Sequence, residues 1–555
     1  MKNRVSSYGG YTAIGLDFGT REARAQLRGL DGKLLGEAVF SYPHGVMSDR
    51  LPDGTTLRPG DALQHPQDYI DALHTLIPAL LQSGDPNRVV GVGVDFTQCT
   101  MMPVGEDGAP LCQTEQFANQ PMAYAKLWRH HSAQPQADRM TQVAQQRGEM
   151  FLAYCGESVY AESMFPKILE TFKRAPKLYQ AADAFVELAD WIPWYLTGER
   201  RRSRSIAGCA ALWDPTAEYP SFDYLESVAP GFGSALDKLR GPLVAVGRSI
   251  GGLLPERAAQ LGLPAGIPVA AGLGDCQAAF LGVGLYQPGV LLSVMGTSSC
   301  DMVIHSERIA IPGMYGISSD SMIPGYYGYE AGQATMGDLF RWFSEQWVPK
   351  EIEDAAKVRG ETVFDFLNHR IAARQPAASG LLALDWWCGN RTVLLDTDLS
   401  GLLVGMTMNT TCEDVYQALM QSLAFGKRRI VEQFQNYGIP VARMRVTGGV
   451  AEKNPVLMQV FADVLKMPVE VSDEANGSCN GSCIYGALAG SGFPNMELAA
   501  AAMGGGVSRV YYPTPDRGRM YDRLYELYCQ LHDAFGTETS IMKQLKTMQA
   551  EEGKK

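Results

Sequence analysis

Residues 14–20, Ile-Gly-Leu-Asp-Phe-Gly-Thr, decide how the rest of the chain is read. An apolar run carries one acid, Asp17, and ends in a Gly-Thr turn. Strands buried on both faces are near-continuously apolar, so a single acid near the end of such a run points to a strand tip that serves a site. Working outward, Arg24 to Leu30 is a second strand-like run, Asp31-Gly32 supplies a hairpin turn, and Leu34–Phe40 completes a β-meander. Pro66 to Leu81 is helix-patterned, with Tyr69, Leu73, Ile77 and Leu81 on one face. Val89 to Asp95 is another buried-strand run, again ending in an acid. Met101–Leu111 reads as a hairpin turning at Glu106-Asp107-Gly108.

Met122 to about Arg240 is mostly helical, and the helix through Asp190 to Thr197 is closed by Gly198 as C-cap. Near Pro268–Gly274 a second glycine-rich strand appears, and the opening pattern then recurs. Val290 to Met295 is a strand that runs into Gly296-Thr297-Ser298-Ser299. Val415, Leu419, Leu423, Ile430 and Phe434 mark one face of a long helix, and the strand Met444–Thr447 ends in Gly448-Gly449. The layout is therefore duplicated, strand–turn–strand then helices, with the changeover near residue 270. It predicts an α/β chain of two domains, residues 1–270 and 271–555.

Composition narrows the function. The chain has 555 residues, 46% hydrophobic and 19% charged, with a formal net charge of -12. That is a globular balance with ample core. No run of Lys and Arg suggests a nucleic-acid footprint. The N-terminal residues lack the apolar core of a signal peptide, and no apolar stretch is long enough to span a membrane. The eleven cysteines are scattered. The closest pair, Cys479 and Cys483, has no His partner, so reduced buried thiols in a cytoplasmic protein are expected rather than structural zinc. His130-His131 shows no metal spacing and receives no role.

Three strand-end turns need a joint explanation: Asp17–Thr20, Met295–Ser299 and Gly448–Asn454. Turns of Gly and small hydroxyl residues let backbone N–H groups point at phosphate oxygens without a Cβ in the way. Any one of them is an ordinary strand end. Three in matching places point to a nucleotide. A P-loop signature is missing, and Gly91-Val92-Gly93 and Gly272-Leu273-Gly274 do not complete a dinucleotide fingerprint.

IGLDFGT, GVGVDFTQCT, GLGDCQAAFLGVG, VMGTSSCDM, GYEAGQ, LALDWWCGNRT and VTGGVAEKNPVLMQVFADVL, in this order, resemble the FGGY carbohydrate kinase family, and within it the ribulokinase branch. The likeness runs from about residue 12 to about residue 535. It implies two actin-like (ribonuclease H-like) domains of the actin/hexokinase/Hsp70 fold, closing a cleft on ATP and sugar. The first domain would be the sugar-binding side and the second the ATP-binding side. Asp275 resembles the family's catalytic base, and Asp17 its Mg²⁺-side acid. Gly19 and Thr20 from one domain and Gly296, Thr297 and Ser298 from the other would face the phosphates. Gly448, Gly449 and Asn454 would border the adenosine. Gln98, Glu330 and Asp275 would surround the substrate. No nucleic-acid or membrane partner is implied, and a homodimer is allowed.

Two positions depart from the ribulokinase pattern. Ala210 stands where a substrate-contacting Lys is expected, and Ser163 where a Trp is usual. Phosphorylation of a ketopentose such as ribulose is the leading reading. Xylulose, ribitol, glycerol or a signalling sugar is the alternative acceptor. An actin- or Hsp70-like ATP-dependent binding protein and a non-catalytic sugar sensor are the readings outside sugar phosphorylation.

Overall fold

The computed structural model describes residues 10–552. The opening run folds as β1 (Thr12–Phe18), β2 (Glu22–Gly29) and β3 (Leu34–Ser41), each antiparallel to the one before. β4 (Val89–Phe96) lies parallel to β1. An edge pair, β5 (Ser249–Gly252) antiparallel to β6 (Pro268–Ala270), joins through β6, which is parallel to β4. The spatial order is β3-β2-β1-β4-β6-β5.

The second half repeats this plan with β7 (Gly289–Met295), β8 (Ser299–His305), β9 (Gly316–Ser319), β10 (Tyr327–Gln333), β11 (Val441–Thr447), β12 (Val469–Ser472) and β13 (Val507–Tyr511). Their order is β9-β10-β8-β7-β11-β12-β13. With β9 set aside, both sheets read as a three-stranded antiparallel meander, two parallel strands and an antiparallel edge. This is the expected pair of α/β actin-like domains.

Local sequence explains the elements. β1 and β4 are buried almost throughout, as their unbroken apolar runs demand. The long helix Cys412–Asn436 starts with a capping box between Thr411 and Asp414. Its apolar face, including Val415, Leu419, Leu423, Ile430 and Phe434, enters the core of the second domain. Gly198 closes the helix Leu188–Thr197 in the left-handed region, at φ 72°. The expected hairpin after Met101 is only half formed. Its turn closes through Gly105 N–H to Ala109 O at 2.9 Å, but Met101–Val104 pairs instead with Ala184–Glu187.

The changeover is not a clean cut. The helix Gly477–Ala489, late in the chain, lies on β1 and β4 of the first sheet and against the helix Asp275–Gly282. Glycines make this approach close. A Cβ on Gly93 would fall 1.9 Å from Ser482 O, and one on Gly481 would fall 1.9 Å from Ala278 O. Ala13, Phe280, Ile484 and Tyr485 share one core there. Among the described residues, no helix is long and apolar enough to cross a membrane.

Candidate active site

The carboxyl ends of the parallel strands meet at one edge, the usual ligand edge of an open α/β sheet. Asp17 of β1 sits in register with Asp95 of β4. Leu273 and Gly274 pair with the last two residues of β4, so Asp275 emerges beside them as the first residue of the helix Asp275–Gly282. Its Oδ1 accepts from the Cys276 N–H at 2.7 Å.

Asp17, Asp95 and Asp275 act on one another electrically. Burial and the neighbouring Asp17 charge push Asp275 up to about 6, against the Cys276 N–H, which favours the ionised form. Burial also raises Asp17, opposed by its hydrogen bond to Asp95 and by the Arg24 guanidinium. Asp95 is driven well up by burial and by the Asp17 charge. Ser482 donates to Asp95 Oδ2 at 2.6 Å, while Oδ1 is buried without a partner. A hard divalent cation fits this set, since two adjacent carboxylates with an unpartnered oxygen are the donors such an ion takes. Sequence reasoning missed Asp95, although Val89–Asp95 ends in an acid just as Ile14–Asp17 does.

The three turns lie at strand tips, the first in the first sheet and the other two side by side in the second. Gly19 and Thr20 are half-buried after β1, and Trp128 Nε1 donates to Thr20 Oγ1 at 3.1 Å. Gly296 and Thr297 are exposed after β7, with Ser298 half-buried. Their carbonyls are engaged by N–H groups entering the helix Gly337–Gln346: Gly337 N to Gly296 O at 2.9 Å and Met336 N to Thr297 O at 2.8 Å. Beneath this turn the Lys427 ammonium is fully buried, ion-paired to Asp301 and donating to Ser299 Oγ at 2.9 Å. Gly448 follows β11 at φ 99°, and a Cβ there would fall 2.5 Å from Met295 O. The Gly448-Gly449 turn thus leans on the end of β7. Asn454 is turned inward: its Oδ1 caps the helix Pro455–Leu465 and its Nδ2 donates to Tyr416 OH at 3.0 Å.

Gln98 and Glu330 line one cavity, walled by residues 98–99, 151–163 and 208–213 on one side and by residues 302–330 on the other. The Arg391 guanidinium donates to Glu330 Oε1 at 3.2 Å. Burial raises Glu330 in spite of that cation. The two walls touch: Tyr315 OH donates to Glu162 Oε2 at 3.1 Å, and the Tyr160 and Tyr315 rings stack at 4.4 Å. Ser163 lines the cavity, whereas Ala210 is fully buried and leaves Gly208 and Cys209 to face it. Asp275 is not itself in the lining, but Gln277, two residues on, is. Elsewhere His130 belongs to a buried charge network. Glu170 accepts from Lys126 at 3.0 Å and pairs with His130 at 2.9 Å and with Arg174, so cations already fill the place a metal would take beside Asp61.

Two family models cover most of the chain. The N-terminal domain of the FGGY family of carbohydrate kinases matches residues 12–282, and the C-terminal domain matches residues 291–490. A ribulokinase of Bacillus licheniformis is 41% identical over 525 residues, covering 93% of this chain and 95% of the relative. A ribulokinase of Mycolicibacterium smegmatis is 43% identical over 543 residues, covering 97% and 96%. Among solved structures, the xylulose kinase from Rhodospirillum rubrum superposes with a TM-score of 0.77 at 23% identity, covering 94% of this chain and 98% of that one. The glycerol kinase of Plasmodium falciparum with ADP superposes at 0.74 and 15%, covering 94% and 98%. These structures share the fold.

Proposed function

The chain belongs to the FGGY family of carbohydrate kinases and phosphorylates a sugar from ATP, and from that premise we propose that the acceptor is a ketopentose, ribulose, taken at its terminal hydroxyl with Asp275 as general base. The acceptor follows the ribulokinases, similar across at least 93% of this chain. One observation carries the base. Asp275 opens its helix between the Asp17–Asp95 pair and Gln277, which borders the polyol cavity.

Phosphoryl transfer asks the protein for position and charge rather than covalent help. The Asp275 carboxylate accepts the proton of the attacking hydroxyl as its oxygen bonds to the γ-phosphorus and ADP leaves. Backbone N–H groups of Thr20 and of Thr297 and Ser298 hold the phosphates, while Gly19 and Gly296 shape those turns and let the phosphates approach, their own N–H groups donating to Glu22 O and Ser298 O. Gly448-Gly449 borders the adenosine, and Asn454 supports that turn from beneath. Gln98 and Glu330 hydrogen-bond sugar hydroxyls, with Arg391 orienting the Glu330 carboxylate. Asp17 and Asp95 would hold Mg²⁺, which supplies charge neutralisation of the phosphates when bound. Residues 1–270 form the sugar-facing side and 271–555 the ATP-facing side. The eleven cysteines, all free thiols, support a cytoplasmic setting.

A coupled ADP-release assay over ribulose, xylulose, ribitol, glycerol and gluconate tests the acceptor. Ribulose is expected to give the highest kcat/KM. A higher value with another sugar replaces the acceptor, and sugar-independent ATP hydrolysis of equal rate overturns the site.

A further inference from the structure

Gln277 lies on the first turn of the helix that begins with Asp275, and it is only 2% exposed. Its Nε2 donates to Gln98 Oε1 at 2.6 Å and sits 3.6 Å from Cys209 Sγ. Its Oε1 is buried and has no partner. The amide is not loose. A Cβ on Gly274 would lie 2.0 Å from Gln277 Oε1 and 3.1 Å from Gln98 Oε1, so the chain leaves out a side chain at 274 and the amide fills the space. Gln277, Gln98 and Cys209 all line the cavity that holds Glu330.

A buried carbonyl oxygen without a donor is costly unless a ligand supplies one. A sugar hydroxyl can donate. A ketone oxygen at the same place can only accept, and a methylene does neither. Held by Gln277, Gln98 has its carbonyl used and its Nε2 left to donate. The pair therefore offers one acceptor and one donor side by side, a match for neighbouring groups on a polyol.

We propose that Gln277 is a specificity-determining residue of the acceptor site, its side-chain carbonyl accepting a hydrogen bond from one free hydroxyl of the bound sugar. The inference rests on the cavity being the sugar site, as in the function proposed above. It goes further by naming the atom that rejects sugars carrying a carbonyl or no oxygen at that position. Cys209 bounds the amide on its far side, with Sγ 3.0 Å from Ser318 Oγ on the opposite wall, so the amide cannot swing away from the cavity without breaking contacts across it.

The test compares wild type with Gln277→Met on the best acceptor of the panel and on its monodeoxy analogues. The readout is the ratio of kcat/KM for parent over analogue within each enzyme, in which any inactive fraction cancels. Wild type is expected to reject one analogue by roughly tenfold to a hundredfold more than Gln277→Met does. Ratios for the other analogues should stay unchanged. Gln277→Asn keeps the amide but shortens its reach, and should lose the same single ratio should the Met variant fail to fold. Unchanged ratios in a folded variant, or a uniform drop across all analogues, overturns the proposal. The best acceptor is used whichever sugar it is. An acceptor other than ribulose thus sinks the ribulose reading while the ratios still judge Gln277.

Discussion

At the end proposed for the nucleotide, the surfaces on offer are backbone turns at strand tips, with Gly296, Thr297 and Gly449 exposed and Gly448 half-buried. At the end proposed for the sugar, side chains from both walls line a cavity and touch one another, as Tyr315 does with Glu162 and Tyr160. The contrast follows from the ligands. Phosphate oxygens are identical acceptors, which a row of N–H groups can satisfy whatever the side chains. Each sugar hydroxyl instead needs its own partner of the right sense, and only side chains supply that variety. One end is thus generic and the other particular.

The contrast predicts effects of different size and kind. Asp275→Asn stands at the junction and should cost roughly 10²–10⁴-fold in kcat, with the Kd for ATP nearly unchanged by calorimetry. Substantial residual turnover would remove the base from the scheme. Glu330→Gln should lower kcat/KM for the sugar by roughly tenfold to a hundredfold and leave the KM for ATP alone. An equal change in both would erase the distinction between the ends. Gly448→Ala attacks the other end, forcing a Cβ towards Met295 O at φ 99°. Strain of about 1–3 kcal/mol should raise the KM for ATP severalfold with the sugar KM intact.

The smallest effect is in pH. With Asp275 held at about 6 and active only when ionised, kcat/KM should be flat above neutrality. It should then fall roughly tenfold for each unit below that value. A profile flat to pH 5 would deny Asp275 the role of base.

The same contrast sets what the sequence discloses. The glycine turns are legible because backbone geometry restricts which residues can stand at a strand tip, whereas Asp17 and Asp275 were given their roles by resemblance to the FGGY family. The duplicated meander is legible because short apolar runs bounded by turn residues register burial directly. Asp95 carried the same signal as Asp17 but became meaningful only once β1 and β4 proved to be neighbours in register. Tyr315 and Cys209 gave no local sign, and Gln277 and Arg391, though inside the stretches GLGDCQAAFLGVG and LALDWWCGNRT, were given no role. They come from elements as much as 182 residues apart in number, Cys209 to Arg391, and tertiary packing alone brings Gln277, Tyr315 and Cys209 to one cavity and Arg391 against its Glu330. Ala210 shows the converse. Its departure from the family pattern was plain in sequence, yet its side chain is buried away from the cavity it was expected to shape.

The helix Gly477–Ala489 touches the first sheet and the helix behind Asp275 through bare backbone, at Gly93, Gly481 and Gly282. At these points backbone meets backbone, beside the core that Ala13, Phe280, Ile484 and Tyr485 share. A pivot placed there would turn on a seam that holds Asp95 through Ser482 and carries the helix that Asp275 opens. Adding a single methyl at Gly481 would jam that bearing without touching any ligand.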